Sequence, residues 1–187
     1  LLNPTLNVLV GDMLKIPFNI EIADNIICLV RSTIKMSKFD WDAFETSWDF
    51  KRSSLLTTNA ATLQQAYNNW SQEASDRFNQ LKSNEEELNK IFIDLYGLQD
   101  ELTPEEDDKE VSVRKADQVR DIKAFLSYFI GCVFGRYSLD KDGLAYAGGD
   151  WNDFNYQTFI PNKDNIILLT DCQYFEDSSD IIIRLKE

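Results

Sequence analysis

The sequence predicts a mainly α-helical protein in which long helices form a bundle or a coiled-coil-like spacer, with a few short strands at the N-terminus and in the C-terminal tail. Apolar residues recur at alternating three- and four-residue steps, the spacing of one helix face. With 187 residues, 43% apolar and 27% charged, the chain can bury a sizeable core. We expect residues 1–20 to form a short extended segment, 21–137 a helical domain and 138–187 an irregular, truncated segment.

The first elements are predicted from turn residues and capping patterns. Residues 6–10 favour a strand, Gly11 and Asp12 a turn, and residues 13–17 a second extended piece. A helix over residues 23–36 should follow. Ser37 then has the position of a cap for a second short helix, with Asp40 as its acidic partner. The apolar residues that indicate these two helices are Ile26, Ile27, Val30, Ile34, Trp41 and Phe44.

A long helix is predicted after a Ser/Thr-rich connection that ends near Asn59. Its apolar stripe is a coiled-coil-like seam that needs a partner helix. The seam consists of Leu63, Tyr67, Trp70, Ala74, Phe78 and Leu81. Residues 83–86 match a capping box, and apolar residues continue to Leu98. The sequence therefore leaves two alternatives open, a break near Ser83 or a continuous helix with a change of phase.

The second half of the chain alternates acidic, apolar and irregular segments. Residues 103–110 form a dense acidic block that should be a solvated loop. A largely buried helix is predicted from about Arg114 to a stop at Gly135. Its inward positions are Val119, Ile122, Phe125, Leu126, Phe129, Ile130 and Val133. The tail is expected to be irregular, with a short strand over 166–169 and a helix after Asp171.

Composition limits the kinds of activity that the chain can carry. It has no histidine, which removes the commonest general base and metal ligand. It also lacks a glycine-rich cofactor loop and a polar–Pro–Pro–aromatic loop, the nearest match being Asn3-Pro4-Thr5. Acidic pairs such as Asp107–Asp108 lack a third ligand at a diagnostic spacing. We therefore predict no catalytic, cofactor-binding or metal-binding residue.

The expected cellular setting follows from the ends, the apolar runs and the cysteines. The chain starts at Leu1 rather than Met, and has no signal-like leader and no apolar run near 18 residues. We expect a cytoplasmic fragment of a larger protein, neither exported nor membrane-spanning. Cys28, Cys132 and Cys172 are widely separated and odd in number, which favours reduced, buried thiols over disulfides.

Charge distribution singles out one basic segment in an acidic chain. The net charge is −13, but residues 111–139 carry five basic side chains against two acidic ones. Phosphate contacts are electrostatically reasonable there, and at a smaller basic cluster that follows Trp48 and Phe50. The candidate DNA contacts are Lys51, Arg52, Arg114, Lys115, Arg120, Lys123 and Arg136.

Two alternatives weigh against that interpretation. Asp117 and Asp121 lie close in sequence to Arg120 and Lys123, so much of the basic charge can be neutralised by neighbouring carboxylates on an ordinary solvated face. Trp48 and Phe50, taken alone, are more typical of core or interface packing.

Three stretches resemble one protein family. They are residues 39–52 (FDWDAFETSWDFKR), residues 84–104 (NEEELNKIFIDLYGLQDELTP) and residues 130–140 (IGCVFGRYSLD), the last followed by GLAYAGG at 143–149. All three are similar, in the same order, to segments of BREX PglX-type adenine-specific DNA methyltransferases. The likeness extends over residues 1–187. These stretches identify the family without indicating a mechanism.

The resemblance implies a place within a larger enzyme. In that family a catalytic Rossmann-like domain, which uses S-adenosylmethionine, precedes a target-recognition region, and residues 8–17 resemble the strand that closes such a region. The remainder would be a helical spacer that positions the enzyme on double-stranded DNA. The alternative is a protein-interaction module that docks other defence subunits without touching DNA. No catalytic role carries over to any residue here.

Overall fold

The computed structural model describes residues 10–15, 24–170 and 178–186, and these residues are mainly helical. The predicted fold class is confirmed. The helices are α1 (Val10–Met13), α2 (Asp24–Asp42), α3 (Leu63–Tyr96), α4 (Gln118–Val133) and α5 (Ile181–Lys186), with 3₁₀ turns at Ser54–Leu56 and Asp153–Asn155. No helix in these ranges is both long and apolar enough to cross a membrane.

The predicted strands are not formed in the described residues. Val10–Met13 is one helical turn instead of a strand end, a turn and an extended piece. Residues 1–9 and 16–20 of that prediction lie outside the described ranges. In the tail, the strand predicted over 166–169 is reduced to a single parallel bridge between Leu168 and Asp180. Hydrogen bonding between strands thus contributes little to the fold of the described residues, and side-chain packing holds the helices together.

α2 is one continuous helix, so the predicted end at Met36 and the cap at Ser37 were wrong. The Ser37 hydroxyl lies 3.3 Å from the Ser112 hydroxyl, across 75 residues, instead of capping a helix start. Ile26 and Asp40 are buried, and α2 packs against α3, where Met36 contacts the cluster of Phe78 and Leu81. A tertiary contact has therefore replaced the local capping that the sequence pattern suggested.

α3 runs unbroken through Ser83, which decides between the two alternatives for this segment. The Thr62 side chain accepts from the Gln65 amide at 3.2 Å and starts the helix. Gly97, at φ 67°, ends it. Its 34 residues make a rod about 50 Å long. Asn84 is buried and accepts from Gln80 at 2.9 Å, so the capping-box pattern does not start a new helix.

The predicted seam of α3 is the spine of the core. Trp70, Ala74, Phe78 and Leu81 are all at most 4% exposed, whereas Leu63 at the start is 44% exposed. Trp70 and Ala74 pack with Leu55 and Ala66, and half-buried Phe44, Ile122 and Phe125 close over this cluster. Phe78 and Leu81 pack with Val111 and Val113. One helix therefore contributes residues to two successive core clusters.

The acidic block over 103–110 is a loop, as predicted, and it returns along α3. The Asn89 side chain donates to the Pro104 carbonyl at 3.3 Å, and the Glu106 amide donates to the Glu86 carboxylate at 3.2 Å. Val111 and Val113 then enter the core. The loop thus connects the far end of α3 to the middle of the same helix.

α4 begins later than predicted. Its cap is Asp117, whose carboxylate accepts from the Arg120 amide at 2.7 Å, so Arg114 and Lys115 precede the helix. Gly135, at φ 73°, follows its end as expected. Val119 is 65% exposed, so the prediction that it points inward was wrong.

The buried carboxylate of Asp121 joins α4 to α3. It is 5% exposed and accepts from the Trp70 indole at 2.9 Å, the Asp117 amide at 3.0 Å and the Arg120 guanidinium at 2.7 Å. Such an anion is stable in the interior because several donors satisfy it.

The segment after α4 is irregular but packed against that helix. The Tyr128 hydroxyl donates to the Ser138 carbonyl at 3.2 Å, and the Tyr156 hydroxyl to the Gly135 carbonyl at 2.6 Å. The Asp140 carboxylate accepts from the backbone amides of Gln157 and Thr158. Side-chain hydrogen bonds therefore organise residues 134–160, in which the structure has one 3₁₀ turn and neither an α-helix nor a strand. The boundary placed at 137/138 stays a prediction.

The described cysteines differ from each other. Cys132 is buried, and burial raises the pKa of its thiol to about 11, whereas Cys28 is exposed, so the expectation of a buried Cys28 was wrong. Cys172 lies outside the described residues.

We expect iodoacetamide at neutral pH to alkylate Cys28 quickly and Cys132 only on unfolding, because the thiolate is the reactive form. Peptide mass spectrometry measures both rates. Equal rates in the folded chain would contradict this packing.

Replacing Asp121 by Ala should lower the free energy of unfolding by about 3 kcal/mol, because it leaves the Trp70 indole, the Asp117 amide and the Arg120 cation without their shared acceptor. Urea denaturation measures the change. The control is Asp76→Ala on the exposed face of α3, where the carboxylate bonds only Gln72 among the described contacts and the expected change is within about 0.5 kcal/mol. Equal effects of the two variants would refute a coupling role for Asp121.

Candidate nucleic-acid interface

The seven candidate cations occupy four positions along the chain. Lys51 and Arg52 follow α2, Arg114 and Lys115 precede α4, Arg120 and Lys123 lie in its first turns, and Arg136 follows its end. Four of them form ion pairs, namely Arg52, Arg114, Lys115 and Arg120. No ion pair to the other three is found in the described residues.

Arg114 is a structural cation. Its guanidinium bonds the Asp40 carboxylate at 2.9 Å and the Asp40 carbonyl at 3.1 Å. It also lies 4.2 Å from the centre of the Phe44 ring. Only 6% of the Asp40 side chain is exposed, so the anion depends on this partner. Arg114 therefore fixes the start of α4 to the end of α2.

Lys115 and Arg120 are paired as well. Lys115 bonds Asp108 at 2.9 Å and lies 4.1 Å from the Phe78 ring centre. Arg120 bonds Asp121 at 2.7 Å and the Lys115 carbonyl at 3.0 Å. Neighbouring carboxylates therefore neutralise Arg114, Lys115 and Arg120, which is the alternative that the sequence left open for this basic segment. Lys123 is exposed, and no ion pair to it is found within the described ranges.

Lys51, Arg52 and Arg136 are brought together although 84 residues separate the second from the last. The Lys51 carbonyl accepts from the Gly143 amide at 2.9 Å, and the Arg136 carbonyl accepts from the Ala145 amide at 2.9 Å. The loop over 143–145 therefore joins both segments. The side chains of Trp48 and Arg136 line one cleft, and those of Lys51 and Arg52 line another. We call the surface of these joined segments, which carries Trp48, Lys51, Arg52 and Arg136, the converging-loop surface.

The position of Arg136 depends on a close approach of backbone and ring. The Arg136 and Tyr137 amides both donate to the Gly131 carbonyl, at 2.8 and 3.2 Å. A Cβ added at Gly131 would lie 2.5 Å from the Tyr137 ring, so only glycine lets this ring pack there. Phe50 meets Tyr137 edge-on at 5.5 Å, in the same core cluster. Packed aromatic residues thus hold both loops from beneath.

Trp48 has the opposite environment. Its side chain is fully exposed, at 103% of the reference area, whereas Phe50 two residues later is 7% exposed. It lines a cleft of about 430 Å³ with Glu45, Arg136 and Leu144. The sequence pattern favoured core or interface packing for both rings. Core packing is wrong for Trp48 and right for Phe50 in the described residues, and interface packing of Trp48 stays a prediction. No periodicity in this short segment could have separated the two rings.

Acids partly neutralise the converging-loop surface. Arg52 donates to Asp142 through Nε at 3.1 Å and Nη2 at 2.7 Å. Glu45 accepts from the Tyr137 hydroxyl at 3.2 Å, and burial together with this carboxylate raises the pKa of Tyr137. No ion pair to Lys51 or Arg136 occurs among the described residues. These two exposed cations are the ones available for a phosphate contact.

The described residues contain no group of three or more His, Cys, Asp or Glu side chains placed to hold a metal ion. Two lysines bond the Asp108 carboxylate, Lys82 at 2.7 Å and Lys115 at 2.9 Å. They fasten the acidic loop to α3.

Comparison with known proteins places the chain within a much longer sequence. It is 57% identical, over its whole length, to the adenine-specific methyltransferase PglX of Lacticaseibacillus casei strain Zhang, and covers 16% of that protein. It is 30% identical, again over its whole length, to the adenine-specific methyltransferase BrxX of Escherichia coli O9:H4 strain HS, and covers 17% of it. The chain thus spans about a sixth of these curated relatives. No protein-family model matches it.

The carboxyl group of Asp108 should titrate at about 2, because hydrogen bonds from Lys115 and Lys82 favour its charged form and lower its pKa from 3.8. These pairs therefore stabilise the folded chain above the unfolded pKa, and their contribution disappears as pH falls through about 2. Carboxyl-detected NMR titration measures the midpoint. Replacing both lysines by Met should return it toward 3.8, whereas Lys109→Met, which removes a pair with Asp107, should not. An unchanged midpoint in the double variant would rule out this pairing in solution.

Proposed function

Since the chain corresponds to one region of the PglX-type adenine-specific methyltransferases, we propose that it is a non-catalytic helical spacer that positions such an enzyme on double-stranded DNA. S-adenosylmethionine and the flipped adenine would be bound by other parts of the polypeptide. The enzyme would act in the cytoplasm as part of a phage-defence system. The spacer contributes a rigid frame and a small number of phosphate contacts.

The observation that carries the proposal is that the loop over 143–145 joins the segments of Lys51 and Arg136, two exposed cations for which no ion pair is found in the described residues. The chain has a net charge of −13, so an exposed basic surface is not expected by chance composition. Phosphate contacts fix register and orientation without reading sequence, which suits a spacer. The exposed Trp48 ring beside these cations offers an apolar contact of the kind used against sugars and bases.

Ion pairing of the other cations within the chain reduces the number of candidate DNA contacts. Arg114, Arg120 and Lys115 support the fold through Asp40, Asp121 and Asp108. Lys123 is the exposed cation of α4 and is the third candidate contact. The proposed interface therefore consists of Lys51, Lys123 and Arg136.

A second function, docking of another defence subunit, is favoured by the far end of α3. Phe92, Leu95 and Tyr96 are each 39–40% exposed there, beside the acidic loop. An exposed apolar group with a charged rim is typical of a protein interface. This alternative needs no DNA contact, so salt-dependent DNA binding separates the two functions.

Replacing Lys51, Lys123 and Arg136 together by Ala in the full-length methyltransferase should weaken DNA binding at every sequence tested. The slope of log affinity against log salt should become shallower by about 0.9 for each phosphate that the variant no longer neutralises. Fluorescence anisotropy at several salt concentrations measures it. The control is Lys90→Ala, an exposed cation of α3 in the acidic half of the chain, with an unchanged slope.

An unchanged slope in the triple variant, with the protein folded as judged by circular dichroism, would contradict DNA positioning by this surface. Replacing Phe92 and Leu95 by Ser tests the alternative independently. Under the docking function that variant should no longer co-purify with other defence subunits, while its salt slope stays the same.

A further inference from the structure

A cleft of about 530 Å³ opens where the end of α4 meets the irregular segment that follows it. This volume lies within the range of sites that bind small ligands. Its lining combines aromatic rings with polar side chains. The rings are Phe134, Tyr146, Trp151 and Tyr156, and the polar side chains include Lys163 and Asn165. The cleft lies outside the residues that define the converging-loop surface.

The Trp151 ring forms a fixed platform in this cleft. It stacks on Tyr156, with ring centres 4.5 Å apart and planes 10° apart. Its edge packs on Gly135, where an added Cβ would lie 2.6 Å from the ring. Its indole N–H donates to Asp153 at 2.8 Å. These contacts hold the ring in place, yet 45% of Trp151 remains exposed. Stacking a ligand on it therefore costs little side-chain entropy.

Two further rings stand beside this platform. Tyr146 meets Trp151 edge-on, with ring centres 5.2 Å apart and planes 65° apart. Phe134, directly after α4, is 39% exposed. Aromatic rings prefer stacked or edge-to-face contacts, so a flat aromatic ligand gains contact with more than one of them. The lining therefore favours a flat ring over an aliphatic chain.

The polar side chains of the cleft favour a nucleotide among flat aromatic ligands. Lys163 is exposed, and no ion pair to it is found in the part of the chain that the structure describes. Asn165 offers an amide donor and acceptor, and no hydrogen bond of this side chain is found in the same ranges. Asp153 is already bonded by an indole N–H, and the Asp164 carboxylate accepts from a backbone amide outside the lining. A phosphate fits beside Lys163, and the Asn165 amide can pair with the edge of a base.

The cleft adjoins the surface proposed to meet DNA. The Arg136 carbonyl accepts from the Tyr146 amide at 3.5 Å as well as from Ala145. DNA whose phosphate binds Arg136 therefore passes close to the cleft, where Lys163 supplies a second cation. Cations beside exposed rings are typical of surfaces that bind unpaired nucleotides. Bases of an intact duplex are stacked within the helix, so only an unpaired base can enter.

We propose that the cleft binds one unpaired nucleobase of the DNA, stacked on Trp151, with a neighbouring phosphate on Lys163. The proposal rests on the proposed function, because it requires that this region lies on DNA. Every base has a flat aromatic face, so stacking holds the strand without reading its sequence. The cleft therefore fixes the position of one nucleotide, whereas phosphate contacts alone let a protein slide along the duplex.

Photo-crosslinking with iodouracil tests which side chains the base contacts. The full-length methyltransferase is irradiated with a duplex that carries one unpaired iodouracil, and mass spectrometry maps the labelled residues. Trp151, Tyr146 or Phe134 should carry the label, and the same base paired with adenine should leave them unlabelled. Label only elsewhere, no label, or equal label from the paired base would overturn the proposal. Free iododeoxyuridine monophosphate has the same ring and phosphate, so equal labelling of the cleft by this nucleotide would overturn the assignment to DNA.

The contribution of the platform is measured by affinity. The wild-type enzyme should bind a duplex with one unpaired thymine about fivefold more tightly, or better, than the same duplex with an abasic nucleotide there, because the base stacks. Trp151→Ala should abolish this preference. The control is Phe154→Ala, which removes a nearby ring, 82% exposed, that does not line the cleft. A preference that survives Trp151→Ala would contradict the assignment of the site.

Lys163→Ala leaves the packed rings in place and therefore tests the cleft without disturbing the core. It should lower the affinity for the unpaired-thymine duplex by about threefold, the effect of one exposed ion pair. Lys141→Ala, at an exposed lysine outside the lining, should leave the affinity unchanged. Equal effects of the two variants would overturn the phosphate contact.

These measurements compare duplexes at one salt concentration and are independent of the salt slope. They can fail while the slope still responds to Lys51, Lys123 and Arg136, and the proposed function then stands without the cleft. An unchanged slope together with labelled Trp151 would instead contradict the contacts of these three cations and leave the cleft assigned.

Discussion

The hydrogen bond between the Trp70 indole and the Asp121 carboxylate is the contact on which the arrangement of the helices depends. It joins the N-terminal part of α3 to the first turn of α4, and the same carboxylate holds the Asp117 amide and the Arg120 guanidinium. The direction of α4 determines where its C-terminal end, and hence Arg136, lies. A buried anion with several donors is specific in geometry because each donor must be correctly placed. The converging-loop surface is therefore a consequence of core packing.

In this arrangement the basic residues have two different structural environments. Arg114, Lys115 and Arg120 neutralise Asp40, Asp108 and Asp121 and make the junction of α2, α3 and α4 stable. Because carboxylates of the same chain neutralise these three cations, they add little positive potential at the protein surface. Lys51 and Arg136 lie on loops that the aromatic cluster supports from below, where the charge faces outward.

The sequence predicted the class of fold and the buried face of α3, since periodic apolar residues report burial directly. It did not predict that α2 passes through Ser37, and it left open whether α3 breaks at Ser83 or passes through it, because capping patterns are local and tertiary contacts override them. The Arg114–Asp40 pair spans 74 residues, so inspection of neighbouring acids could not find it. The exposure of Trp48 was missed for a related reason: residues 47–52 are too short to show a period. The family resemblance was recognised from sequence alone and is confirmed over the whole chain.

The central claim is that this region faces the duplex through the converging-loop surface. An electron cryo-microscopy structure of the full-length methyltransferase on a DNA duplex tests it most directly. The account predicts phosphates within ion-pair distance, about 4 Å, of Lys51 and Arg136, with the acidic loop over 103–110 turned away from the duplex. A structure in which these two residues face solvent or another protein, while DNA passes elsewhere, would contradict it.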